Sequence, residues 1–328
     1  MSNTGIIDSI PTQMWEAQSQ VLYLNHSHNH IHGELVTTLK NPISIPTVDL
    51  STNHLCGKLP YLSNDDKPMQ LEILNLASNN LSGEIPDCWI NWPFLVEVNL
   101  QSNHFVGNLP SSMGSLSELQ SLQIRNNTRS GIFPTSSKKN NQLISLDLGE
   151  NNLSGREIPR EITSLNGLNF LNLSHNQVIG HIPQGIGNMG SLQSIDFSRN
   201  QLSGEIPPTI SNSSFLSMLD LSYNHLKGKI PTRKQLQTFD ASSFIGNNLC
   251  GPPLPINCSS NGKTHSYEGS DEHGVNWLFV SAAIGFIVGF WIVIAPLLIC
   301  RSWRYAYFHF LDHVWFNLQS FCSCSITV

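Results

Sequence analysis

Apolar residues recur along this chain in a fixed pattern with a nearly constant period. The pattern LxxLxLxxNxLxGxIP is clearest over residues 192–207 and 216–231, and its asparagine returns in steps of 24 to 26 residues. Nine such asparagines mark nine repeats: Asn29, Asn53, Asn79, Asn103, Asn127, Asn151, Asn176, Asn200 and Asn224. Self-similarity at a period of this length is typical of a solenoid, in which each repeat stacks on the next.

The residue types within one repeat predict its local structure. In LxL the two apolar residues point inward from a short strand, and their neighbours point to solvent. The asparagine follows the strand and faces inward, where its amide bonds backbone groups that the turn leaves unpaired. Glycine tolerates a tight backbone, and proline fixes φ and disfavours helix. We therefore predict a right-handed solenoid with a parallel β-sheet on its concave face and turns and 3-10 segments on its convex face.

Three positions depart from this pattern. His26 and Arg129 stand where leucine is expected, so the first and fifth repeats should pack more loosely. Between Gly155 and Ile158 one extra residue gives GREIP instead of GxIP, which marks an irregular repeat.

The GxIP ending and the 24-residue period resemble the plant-specific class of leucine-rich repeats, and the chain resembles a kinase-less plant receptor-like protein of the defence type. The resemblance implies about nine repeats over residues 1–239 and a C-terminal cap over residues 240–262. The cap motif of the family also implies a disulfide between Cys250 and Cys258. Against the family pattern, the chain shows no signal peptide, N-terminal cap or island region. The pairing of Cys56 and Cys88 stays open, with free buried thiols as the alternative.

The C-terminal part contains one apolar segment long enough to cross a membrane. Residues 276–300 carry no charge, and about 20 helical residues span the roughly 30 Å hydrocarbon core. An acidic juxtamembrane segment, residues 263–275, precedes it, and Arg301 and Arg304 follow it. Positive charge favours the cytosolic side, so the repeats are predicted outside the plasma membrane and the tail, residues 301–328, inside. Within the span, Ser281, Gly285 and Gly289 form a helix-association face of small residues.

Candidate ligand-binding residues are the solvent-facing positions of the concave strands. A rigid scaffold holds such side chains in a regular array. They are Glu97, Asn99, Gln101, Ser121, Gln123, Arg125, Asp147, Glu150, Phe170, Asn172, Asp196, Arg199 and Tyr223. The resemblance implies an extracellular peptide, protein or glycan ligand and a receptor-like kinase partner reached through the membrane helix.

Seven Asn-x-Ser/Thr sequons are candidate glycosylation sites if the chain enters the secretory pathway. They begin at Asn25, Asn80, Asn126, Asn152, Asn172, Asn212 and Asn257. Several coincide with the text of the repeat itself, which reduces the weight of their number.

Catalysis, metals, cofactors and nucleic acid have little support in the sequence. His26, His28, His30 and His32 alternate as metal ligands on one strand would, but repeat drift accounts for His30, so we assign no metal site. The net charge of −6 offers no basic stripe for phosphates. The 28-residue tail has no kinase motif and is too short for a kinase domain. We predict no enzyme and no cofactor.

The sequence thus predicts a membrane-anchored recognition protein. Two alternatives remain open: a truncated product that does not signal, and a secreted leucine-rich-repeat inhibitor of cell-wall hydrolases. The apolar segment argues against the inhibitor.

Overall fold

The computed structural model describes residues 2–10, 21–35, 45–59, 70–128, 142–232 and 234–258. The chain divides into two units, residues 1–259 and 260–328, and every described residue lies in the first. The predicted juxtamembrane segment, membrane helix and tail, with Ser281, Gly285 and Gly289, lie outside the described residues. Within the described ranges, no helix has the length and apolarity needed to cross a membrane.

The described residues form eighteen short strands, β1 to β18, and nine of them build one all-parallel sheet. Each of these nine strands comes from the LxL portion of one repeat and pairs with the strand of the next repeat. In spatial order they are β1 (Tyr23–Asn25), β3 (Thr47–Asp49), β5 (Ile73–Asn75), β7 (Glu97–Asn99), β9 (Ser121–Gln123), β10 (Ser145–Asp147), β12 (Phe170–Asn172), β14 (Ser194–Asp196) and β16 (Met218–Asp220). The middle residue of every strand is a buried leucine, valine or isoleucine. The predicted leucine-rich-repeat solenoid with a parallel sheet is confirmed.

The repeating asparagine forms the predicted ladder along the interior. Asn103 illustrates one rung: its Nδ2 donates to the carbonyl of Leu76 in the preceding repeat (3.0 Å) and to that of Leu100 in its own (3.2 Å). Its Oδ1 accepts from the backbone N–H of Leu81 (3.0 Å). Asn247 adds a further rung beyond the nine predicted ones, because it donates to Leu221 O and accepts from Leu226 N. Each rung satisfies buried backbone groups of two consecutive repeats.

Smaller parallel sheets follow the asparagines, where the sequence predicted only turns. They contain β2 (His32–Glu34), β4 (His54–Lys58), β6 (Asn80–Glu84) and β8 (His104–Val106); β11 (Ser154–Glu157) and β13 (Gln177–Ile179); and β15 (Ser203–Gly204), β17 (His225–Lys229) and β18 (Asn248–Cys250). We call the side of the solenoid that these strands form the lateral side. Glycines such as Gly57 have a positive φ (80°) here, a backbone conformation that other residues rarely adopt.

Short helices complete the coils, in agreement with the predicted 3-10 segments. The 3-10 helices span Trp89–Asn91, Ser111–Ser115, Arg160–Ser164, Gln184–Asn188, Pro208–Asn212 and Ala241–Phe244, and one α-helical turn, α1, spans Lys234–Gln237. Most of them begin directly after the proline of the repeat or include it.

The extra residue of the irregular repeat is absorbed locally. The pairing of β11 with β13 shifts register between Ser154 and Glu157, as a β-bulge does. A groove of about 500 Å³ lies beside this bulge, lined among others by Glu157, Arg160 and His181. No residue of the nine-stranded sheet lines it.

Both ends of the described solenoid continue its pattern. Residues 2–10 pair with the first repeat as the second half of a preceding one, since Ile6 N donates to Asn29 Oδ1 (3.0 Å). At the other end, Asp240 caps the helix that begins at Ala241, and β18 joins the last lateral sheet. Cys250 and Cys258 form a disulfide, with Cα atoms 5.2 Å apart.

Candidate ligand-binding face

The solvent side of the nine-stranded sheet, here called the sheet face, carries side chains in rows. The strands pair in register, so the first residue of each strand lies beside the first residue of the next. Neighbouring strands in a sheet lie about 4.8 Å apart, which makes each row a regular array. The first row reads Tyr23, Thr47, Ile73, Glu97, Ser121, Ser145, Phe170, Ser194 and Met218. Three of the predicted residues, Glu97, Ser121 and Phe170, belong to this row.

The third residue of each strand is less available than the sequence suggested. Asn99, Asp147 and Asp196 are only half exposed, and in each an Oδ1 accepts from the backbone N–H two residues later, at 3.1, 3.0 and 3.0 Å. This local bond turns the chain out of the strand. One side-chain oxygen of each of these three residues is therefore engaged in the turn, while the side chain stays half exposed on the sheet face. Gln123, at the same position, instead donates from Nε2 to Ser121 Oγ (3.4 Å).

Asn172 is the clearest correction. Its side chain is 2% exposed, and its Oδ1 accepts from both the backbone N–H and the hydroxyl of Ser174, at 2.8 and 2.7 Å. It therefore offers neither a binding group on the sheet face nor an accessible amide for a glycan. The sequons at Asn80, Asn126, Asn152, Asn212 and Asn257 have exposed asparagines, and Asn25 is half-buried.

An ion pair joins two predicted residues near the middle of the sheet face. Arg125 Nη2 donates to Glu150 Oε1 (2.6 Å), and both side chains remain partly exposed. The hydrogen bond to Glu150 is the main cause that raises the pKa of the Arg125 guanidinium. Burial raises the pKa of the neighbouring Asp147 carboxyl, against the N–H of Gly149 and the charge of Arg125, which act in the opposite direction. Fixed charges of both signs thus lie close together here.

A second cluster lies towards the C-terminal end of the face. The Arg199 guanidinium lies 4.5 Å from the ring centroid of Tyr223, a cation–π contact. Tyr223 is 46% exposed, and Met218, which is not among the predicted residues, is 55% exposed. Ser194 Oγ donates to the Met218 sulfur (3.4 Å). Counting register positions from Glu97 would have identified Met218, since it occupies the same row.

The remaining predicted residue on this side, Gln101, is half-buried beyond the strand end, and its carbonyl accepts from Ser78 N (2.9 Å). Through this carbonyl, Gln101 helps to order the backbone between consecutive repeats.

Histidine and cysteine side chains lie elsewhere. His26 occupies its leucine position partly buried, with Nδ1 shielded and lacking a hydrogen-bond partner, and burial lowers its pKa. Across the described ranges, no three His, Cys, Asp or Glu side chains converge as metal ligands would. Cys56 is half-buried and Cys88 buried, and no disulfide joins them.

Known proteins share this architecture. A family model described as Leucine rich repeat matches residues 117–178, and a second model of that description matches residues 70–92 and 191–213. Receptor-like protein EIX2 of Solanum lycopersicum is 41% identical over 97 residues, which covers 26% of this chain and 10% of that protein. The chain is therefore built of leucine-rich repeats, and over 26% of its length it is similar to plant receptor-like proteins. It spans about a tenth of the length of the curated receptor-like proteins it matches.

Solved structures with the same fold have different functions. The Arabidopsis receptor kinase HAESA, in complex with the peptide hormone IDA and the co-receptor SERK1, gives a TM-score of 0.63 at 34% identity, over 76% of this chain and 45% of that one. A plant ice-binding protein gives a TM-score of 0.65 at 26% identity, over 78% of this chain and 81% of that one. The fold alone therefore does not define the function.

Proposed function

We propose that this chain is the recognition portion of a plant cell-surface receptor-like protein. The sheet face binds an extracellular peptide, protein or glycan ligand. The apolar segment at residues 276–300 anchors the protein in the plasma membrane and associates with a receptor-like kinase. That kinase carries the defence signal into the cell. The observation that carries the proposal is the rigid, in-register array of nine strands with its charged and aromatic side chains.

The contacts on the sheet face support this role. A ligand that crosses several strands meets Glu97 and Phe170 in one row, the Arg125–Glu150 pair in the middle, and the Tyr223–Arg199 contact near the end. The asparagine ladder fixes the backbone beneath these groups, so little conformational entropy is lost when a ligand orders them. The relatives add support, since HAESA was solved with a peptide hormone and a co-receptor.

The membrane topology can be tested with the whole chain. We expect that the chain with a C-terminal fluorescent tag, expressed in leaf cells, shows plasma-membrane fluorescence and a mass that endoglycosidase lowers. Exchanging the asparagine for glutamine at Asn80 and Asn126 should remove part of that mass shift, whereas Asn172→Gln should leave it unchanged. Unglycosylated protein in the cytosol would refute the receptor role for this chain.

The kinase association can be tested with the small-residue face. The double variant Gly285→Leu and Gly289→Leu should lose co-precipitation of a receptor-like kinase, because leucine keeps the helix backbones apart. Ala283→Leu is the matched control, since residue 283 lies on the other side of the predicted helix. Equal co-precipitation by both variants would argue against this surface.

Ligand recognition can be tested by changing the charge and polarity of side chains on the sheet face. Glu97→Arg with Phe170→Glu should abolish an oxidative burst that apoplastic peptide fractions trigger in cells expressing the receptor. Glu84→Arg with Gln201→Glu, both exposed on the lateral side, should leave it intact. A response that survives the first pair would place recognition elsewhere.

A further inference from the structure

Two histidines from consecutive repeats meet on the lateral side. His30 and His54 each follow a ladder asparagine, so stacking places them next to each other. His30 Nδ1 lies 3.2 Å from His54 Nε2, the ring planes differ by 19°, and the centroids are 5.4 Å apart. The nitrogen-bearing edges of the two rings therefore face each other, and both side chains are exposed.

This separation suits two nitrogens that share one metal ion. Zn–N bonds of about 2.0–2.1 Å at a tetrahedral angle place two ligand nitrogens about 3.3 Å apart. A square-planar Cu²⁺ with adjacent nitrogens needs roughly 2.9 Å by the same geometry. The observed 3.2 Å lies between these values. Without metal, one of these nitrogens donates a hydrogen bond to the other. When that ring takes the tautomer with its proton on the other nitrogen, small rotations of the exposed side chains can turn both lone pairs towards a common ion.

The backbone beneath the pair is already fixed. His30 N donates to Ile6 O (2.9 Å) and His54 N donates to Ile31 O (2.8 Å). The preceding residues, Asn29 and Asn53, are ladder rungs that bond to carbonyls of their own repeats. Binding therefore orders only the two imidazoles, which favours affinity.

We propose that His30 and His54 form a two-imidazole site for a divalent transition-metal ion, Cu²⁺ or Zn²⁺. Among the described residues no third His, Cys, Asp or Glu joins them, so water completes the coordination and the site is open to solvent. Imidazole nitrogen suits copper and zinc, whereas Mg²⁺ and Ca²⁺ prefer oxygen ligands. The two histidines lie 24 residues apart in the chain, so they form no local sequence motif of the kind that marks metal ligands.

The test is calorimetric titration of the 328-residue chain, purified in detergent with a tag that lacks histidine, with Cu²⁺, Zn²⁺ or Mg²⁺. We expect tighter binding of Cu²⁺ than of Zn²⁺ and none of Mg²⁺. His30→Gln and His54→Gln should each weaken one binding event by about tenfold or more, at least the loss expected when a supporting group is removed. His104→Gln and His225→Gln are the matched controls, because both follow ladder asparagines at the same position of other repeats.

Electron paramagnetic resonance of the Cu²⁺ complex supplies a second measurement. The wild-type spectrum should show hyperfine splitting from two nitrogens, and each of the two variants should show one fewer. All four variants should keep the wild-type thermal unfolding midpoint without metal, since each side chain is exposed. Binding that is unchanged in His30→Gln and His54→Gln, or reduced equally in the controls, overturns the site, as does an absence of Cu²⁺ binding in the wild type.

Discussion

Each ladder asparagine connects backbone groups of two repeats through one buried side chain. Asn103 is 4% exposed, and its amide makes four hydrogen bonds of 3.0–3.2 Å to backbone groups. A buried polar group that lacks a hydrogen-bond partner destabilises the folded state. No other neutral side chain of this size offers both donors and an acceptor in this arrangement.

Replacing this asparagine should therefore destabilise the solenoid. We expect Asn103→Ala to lower the free energy of unfolding by about 2–4 kcal/mol, because it leaves the buried Leu81 N–H unpaired and removes one of the two donors to the carbonyls of Leu76 and Leu100. Urea unfolding followed by circular dichroism measures the change. Asn108→Ala is the control, since Asn108 is exposed on the next turn and should change stability by less than about 0.5 kcal/mol. Equal loss in both variants would contradict the role of the ladder.

His26 is a titratable group at a position that the repeat pattern gives to leucine. Burial lowers its pKa below the ordinary value of 6.5. The unfolded chain therefore takes up the proton first, so the stability contribution of neutral His26 is present above pH 6.5 and is lost as the pH falls through the lowered pKa.

His26→Leu should raise the free energy of unfolding by roughly 1 kcal/mol, since leucine fills an apolar position. It should also reduce the loss of stability between neutral pH and acid. Unfolding midpoints measured across this range in wild type, His26→Leu and the exposed control His104→Gln will show whether the pH-dependent part disappears only in the leucine variant.

At the scale of elements, contact between short helices depends on glycine. The 3-10 helices Gln184–Asn188 and Pro208–Asn212 pack against each other, and a Cβ at Gly187 would overlap the backbone carbonyl of Thr209. Backbone on that side cannot move as the end of a flexible side chain can. The close approach of the two helices therefore requires glycine at position 187.

We expect Gly187→Ala to lower the free energy of unfolding by about 2–3 kcal/mol through overpacking. Gly190→Ala is the matched control, because a Cβ there has no neighbour within 4 Å. The comparison uses thermal and urea unfolding of both variants. If Gly187→Ala proves as stable as Gly190→Ala, the helices are less tightly packed than the structure shows.

For the whole molecule, stacking leaves the last repeat with an interior surface that must be covered. The helix Ala241–Phe244, strand β18 and the Cys250–Cys258 disulfide lie at this end. Phe244 is fully buried there, so the cap extends the apolar core beyond the last leucine repeat.

Removing the disulfide should loosen the cap. Cys250→Ser with Cys258→Ser should lower the free energy of unfolding by about 2–3 kcal/mol, the loop-closure value for residues eight apart. Reducing agent should have the same effect on wild type and none on the double variant. Cys56→Ser, which breaks no disulfide, serves as the control. A wild type insensitive to reduction would show that the cap holds without the bond.

Predictions from the sequence were strongest where a signal repeated. The nine strands and the asparagine ladder follow from the period, because every repeat buries its leucines and pairs its backbone groups in the same way. The lateral strands were missed, since a glycine-containing segment such as residues 80–84 has no distinctive apolar alternation and pairs only because its neighbour repeats it.

The sequence by itself determined the coil, its period and the side of each strand that faces inward, because these depend on residues close together along the chain. Only the tertiary structure decided which polar groups of the sheet face are free. Asn172 and Asp147 bond to their own turns, and Arg125 pairs with Glu150; on the lateral side, His30 meets His54. Contacts such as the last two join residues 24 or 25 positions apart, and their geometry depends on how consecutive repeats stack.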